Sequence, residues 1–168
     1  MAHPLVLGLF TSPASAAAAA RVLHDAGVTR DAISVITRNH DEDTVLARQM
    51  DASPGVDIED SRSAGRLGEL SGYVLAAIAL VLPGMGRVVT AGPLAAGLGE
   101  AAGHVAGGVA AALTGAGLTP ERAAALQDAV HNGAILLAVH TTPEQVPAVR
   151  TAFGDAGAAN LDIANWSE

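Results

Sequence analysis

Apolar and polar positions divide this chain into thirds. The outer thirds interleave short apolar runs with charged residues, whereas Gly65 to Leu118 is nearly free of charge. In the first third, Leu5-Val-Leu-Gly-Leu-Phe10 is an apolar run closed by a turn, which reads as a buried strand. Ser12 and Pro13 supply a cap and a first-turn residue for a helix. The alanine run to His24 propagates that helix, and Gly27 ends it. Asp31 to Thr37 reads as a second strand, Asp41 to Met50 as a short helix, and the acidic stretch Asp51 to Ser63, with Pro54 and Gly55, as a loop. In the last third, Thr119-Pro120-Glu121 opens a helix that ends at Asn132-Gly133, and Ala134 to His140 is a third strand. Thr142-Pro143-Glu144 opens another helix, ending near Gly154 to Gly157, and Asn160 to Asn165 alternates as an edge strand does.

The middle third follows another rule. From Ala95 to Gly115 every fourth residue is no larger than alanine: Ala95, Gly99, Gly103, Gly107, Ala111 and Gly115. Ala64, Gly68, Gly72 and Ala76 repeat the spacing. Residues four apart share one side of a helix, and small residues there let a second helix approach closely. The pattern predicts a helix over about 66–82, broken at Pro83-Gly84, a short extended piece from Gly86 to Gly92, and a second helix from Pro93 to about Gly115. Gly68, Gly72, Ala76, Gly99, Gly103, Gly107 and Gly115 are the expected contact positions, a glycine zipper. Without this insertion and its trailing helix, the element order is βαββαβ, the ferredoxin-like arrangement. The expected fold is therefore α+β. Residues 1–63 and 119–168 would form a four-stranded antiparallel sheet with helices, and residues 64–118 an apolar helical hairpin between strands 2 and 3.

Composition narrows the chemistry. Half the residues are hydrophobic but only 2% are aromatic, so the core must be built from small side chains. The chain has no cysteine, which removes disulfides and thiolate chemistry. A net charge of −8 argues against a nucleic-acid partner. The start, Met1-Ala-His-Pro, lacks the basic residues of a signal peptide. The six histidines are His3, His24, His40, His104, His131 and His140, and none falls into a metal-binding spacing. Glu100 and His104, one helical turn apart in an otherwise uncharged stretch, form the one polar pair of note. Asn39 to Asp43 lacks the order of a calcium loop. Gly84-Met-Gly86 lacks the lysine or third glycine of a phosphate loop. Ser12, Thr119 and Thr142 read as caps, and no Gly-x-Ser-x-Gly occurs. The expectation is a protein without catalytic residues, cofactor or metal.

Three stretches resemble the bacterial heat-induced or general stress protein domains, a family of uncharacterised biochemistry. They are Val6-Leu-Gly-Leu-Phe10-Thr-Ser with Leu23-His-Asp-Ala-Gly-Val28 and Ile33-Ser-Val-Ile36, then Leu82-Pro-Gly-Met-Gly86 with Thr90-Ala-Gly-Pro-Leu94, and Leu113-Thr-Gly-Ala-Gly-Leu-Thr-Pro-Glu121 leading into His131 to Val139. The resemblance implies a ferredoxin-like domain with an apolar insert, a role in the stress response and no site residues. The hairpin carries more apolar surface than a small domain covers, so self-association, by default as a dimer, is the expected function. A cytoplasmic location goes with it. Two alternatives use the same chain differently: insertion of the hairpin into a membrane, and a small-molecule or metal-binding module using Glu100 and His104.

Overall fold

A computed structural model of the chain describes residues 3–38, 78–82, 86–94 and 108–166. Its strands are β1 (His3–Phe10), β2 (Ile33–Arg38), β3 (Ile78–Leu82), β4 (Gly86–Ala91), β5 (Ile135–His140) and β6 (Ala159–Trp166). Its helices are α1 (Pro13–Asp25), α2 (Val109–Gly115), α3 (Pro120–His131) and α4 (Val146–Asp155). The strands form one sheet in the order β3-β4-β2-β5-β1-β6, and every neighbouring pair is antiparallel.

Alternation along the strands sends successive side chains to opposite faces, and on β1, β2 and β5 both faces are buried. On one face Val6 and Phe10 of β1 and Ile135, Leu137 and Val139 of β5 meet α1 through Ala16, Ala19, Ala20 and Leu23, and α4 through Val149, Ala152 and Phe153. On the other, Leu5, Leu7, Leu9, Leu136 and Ala138 meet α2 through Val109 and Leu113, and α3 through Ala123, Leu126 and Val130. The chain's two phenylalanines, Phe10 and Phe153, lie on the first face in an edge-to-face pair with centroids 5.5 Å apart. Gly8 makes room for this pair, because a Cβ there would sit 2.8 Å from the Phe153 ring.

Polar side chains fix the helix ends. Ser12 accepts from the Ser15 N–H at 3.2 Å and Thr119 from the Arg122 N–H at 3.5 Å, as their sequence positions predict. α2 has Gly108 at its N-cap position and so no capping side chain; Gln127 of α3 accepts the Ala110 N–H at 2.9 Å instead. At the end of β2, Arg38 donates to the His131 carbonyl at 3.0 Å, at the C-terminus of α3. Buried Ser34 of β2 accepts the Leu94 N–H at 3.1 Å and so holds the chain leaving β4. Gly92 permits that crossing: its φ is +86°, and a Cβ would lie 2.1 Å from the Ile33 carbonyl oxygen.

Three expectations need correction. Residues 78–82 form a strand, not the end of a helix over 66–82; Ile-Ala-Leu-Val-Leu is a short apolar run, and periodicity alone cannot separate a buried strand from a helix there. The sheet consequently has six strands rather than four, and residues 64–118 are not wholly helical, since they contribute the β3–β4 pair. Thr142 does not cap the helix after β5: Pro143 to Gln145 make a turn and α4 starts at Val146. The extended piece expected at Gly86 to Gly92 is β4, and the alternating segment near the C-terminus is β6, on the sheet's edge. The expected helix at 41–50 and the loop at 51–63 lie outside the described residues.

Candidate functional site

Antiparallel register brings the start of β1 and the ends of β5 and β6 to the same end of the sheet. His3 pairs with Trp166, Leu5 pairs with His140, and the Thr141 N–H donates to the Pro4 carbonyl at 3.0 Å. The turn after α1 and the segment after β4 reach this end as well. Together they enclose an open groove of about 570 Å³, bordered by His3, Asp31, His140, Thr142, Gln145 and Trp166 among others. The volume lies in the range of small-ligand sites, about 300–1,000 Å³.

Trp166, the chain's single tryptophan, and His140 are both half-buried. Their rings meet edge to face, with centroids 5.0 Å apart and planes at 79°. His140 Nε2 is buried without a hydrogen-bond partner among the described residues. Burial first, and then the positive charge of nearby His3, hold the His140 pKa below its ordinary value. The imidazole is therefore neutral at neutral pH, with one ring nitrogen as donor and the other as acceptor. The buried Thr141 hydroxyl donates to Gln145 Oε1 at 3.0 Å. Exposed Glu144 is held below the ordinary carboxylate range by its own backbone N–H, and then by the Thr142 hydroxyl.

These groups can bind, but they do not form a nucleophile with its base. Thr141 gives its proton to an amide oxygen rather than to His140. Among the described residues, no group of three histidine, aspartate or glutamate side chains could hold a metal ion. Among the described residues, no lysine or arginine borders the groove.

The sheet's edges form the second candidate surface. β3 is the outermost strand at one edge, and among the described residues its strand partner is β4. Its sequence, Ile-Ala-Leu-Val-Leu, carries no charge and no proline. β6 is the other edge. It departs from regular pairing between Leu7 and Leu9, where Asn160 takes a φ of +51°. Asp162 of β6 is buried and pairs with Arg122 of α3.

Most residues singled out from the sequence fall elsewhere. Gly68, Gly72, Ala76, Gly99, Gly103 and Gly107 lie outside the described residues, as do Glu100 and His104. Gly115 ends α2; it is exposed, and a Cβ there would meet nothing within 4 Å. No described helix is long and apolar enough to cross a membrane. The groove escaped the sequence reading because its residues come from five separate segments. One signal was present: a lone tryptophan and two histidines at strand ends that an antiparallel register superimposes.

No protein-family model matches the chain, and neither the curated proteins nor the solved structures contain a significant match.

Proposed function

We propose that the chain is a non-catalytic, stress-associated protein that self-associates as a dimer through residues 64–118, with β3 as the edge at which two copies meet. The observation behind this is the character of β3. A sheet edge presents unpaired backbone N–H and C=O groups, and proteins ordinarily guard such an edge with charge, proline or a bulge. Ile78 to Leu82 has no charge and no proline, so it is suited to pairing with a strand of the same kind. Both faces of β1, β2 and β5 are already covered by the chain's own helices, which points to the β3 side for association. Exposed Gly115 adds a place on α2 where a partner helix could approach closely. On this reading β1-α1-β2 and β5-α4-β6 are the halves of a ferredoxin-like unit, and the stress role follows from the resemblance in sequence.

Light scattering on the purified chain tests the proposal. Leu80→Lys and Val81→Lys each place a charge within β3. At least one should convert a dimer to a monomer while leaving the melting temperature nearly unchanged. The double change Gly103→Leu, Gly107→Leu should do the same if the glycine stripe contributes. A monomeric parent chain, or a dimer that survives all of these changes, overturns the reading. Co-flotation of the parent chain with liposomes would replace it with membrane insertion.

A further inference from the structure

The geometry points to the groove at the His3/Trp166 end of the sheet as a binding site for a planar nitrogen heteroaromatic that bears amino donors and no phosphate, an adenine-like base. The site is distinct from the β3 edge and independent of self-association.

The shape supplies the first reason. The indole of Trp166 and the imidazole of His140 stand nearly perpendicular, 5.0 Å apart. A flat ring can stack on an aromatic face, or meet its edge, in the geometries that aromatic pairs favour. About 570 Å³ is ample for one such ligand.

The charge pattern supplies the second. Among the described residues the groove has one carboxylate, Asp31, to receive an amino group, and one exposed carboxamide, Gln145, whose N–H groups can donate to a ring nitrogen. Among the described residues that border it, no lysine or arginine is present to neutralise a phosphate, a common means of holding that group. A phosphorylated ligand would also enter the field of a chain carrying net charge −8.

The third reason is unused hydrogen-bonding capacity. His140 borders the groove with a buried Nε2 that has no partner among the described residues. Buried polar atoms are nearly always satisfied, so a ring nitrogen left over beside a ligand-sized space is a feature a ligand can complete after a small turn of the imidazole. Gln145 adds to this, because Thr141 engages its Oε1 and leaves its amide N–H groups as donors.

Trp166 makes the test direct, since it is the chain's only tryptophan and borders the groove. Tryptophan fluorescence and titration calorimetry would be recorded on the full chain with adenine, and with adenosine monophosphate as the phosphorylated control. Adenine should give a saturable fluorescence change below about 1 mM, and the monophosphate should bind more weakly. Gln145→Ala changes an exposed residue, so folding should be retained, and it should weaken adenine binding about fivefold to tenfold, the effect of one lost hydrogen bond. His140→Ala should weaken it at least as much. The proposal is overturned if adenine gives no saturable signal, if the monophosphate binds equally well or better, or if Gln145→Ala and His140→Ala both bind like the parent chain.

Discussion

At one edge of the sheet β6 runs Ala-Asn-Leu-Asp-Ile-Ala-Asn-Trp, bulges opposite Gly8, and ties Asp162 to Arg122 of α3. At the other, β3 runs Ile-Ala-Leu-Val-Leu in unbroken register with β4 from Ile78↔Thr90 to Leu82↔Gly86. The β6 edge is irregular and polar, both of which discourage another strand from adding to it. The β3 edge has neither defence. Among the described residues, one edge strand carries these guards and the other does not. Whether a strand in this fold is guarded depends on which third of the sequence supplies it.

Changes that attack the supports of the β6 side should act on folding, whereas charge on β3 should act on association. The largest folding effect is expected from Phe153→Ala. Phe153 is fully buried, packs edge-to-face on Phe10 and covers Gly8 where β1 and β6 lose register. Its loss should cost about 3–5 kcal/mol, measurable as a lower urea midpoint with an unchanged slope.

Gly117→Ala comes next. Gly117 joins α2 to α3 at a φ of +100°, and a Cβ would lie 2.5 Å from the Asn165 carbonyl oxygen of β6. The left-handed conformation alone costs a side-chain-bearing residue about 1–2 kcal/mol, and the clash adds to it. The same substitution at Gly115, where a Cβ meets nothing, should be neutral or slightly stabilising through helix propensity. Thermal denaturation of the two variants side by side would show the difference; equal melting temperatures would mean that the α2–α3 turn does not press on β6.

The smallest effect is a pH dependence at the Trp166 end of β6. The folded-state pKa of His140 lies below its ordinary 6.5, so the unfolded chain takes up this proton first as the pH falls. Stability from this residue is complete above about pH 6.5 and declines as the pH drops through the window between the unfolded and folded values. Urea midpoints at about pH 7.5 and about pH 5.5 should differ more in the parent chain than in His140→Gln. An identical difference in both would assign the dependence to other groups.

Local chemistry made the outer thirds readable. Ser12 and Thr119 cap helices because their hydroxyls reach the first-turn N–H groups, and a sequence states that requirement directly. β1, β2, β5 and β6 were visible as apolar or alternating runs. The β3 strand was not, because a five-residue uncharged run inside a glycine-rich stretch suits a helix or a strand, and only its ladder with β4 decides. The turn at Pro143 was misread as a helix start for a related reason: Thr-Pro-Glu fits both, and the Thr142 hydroxyl turns to Glu144 instead of a helix N–H. The candidate groove depends on register. His3, His140 and Trp166 are far apart along the chain and become neighbours only once β5 and β6 flank β1.

That flanking has a further consequence. β1 is one of the central strands, yet both of its partners, β5 and β6, follow the insertion in sequence. On a growing chain β2, β4 and β3 can zip together as soon as they emerge, while β1 must wait with Leu5, Leu7 and Leu9 uncovered. β1 would then be closed only once β5 and β6 have been made, and a chain interrupted before them would be left with an apolar strand still searching for a mate.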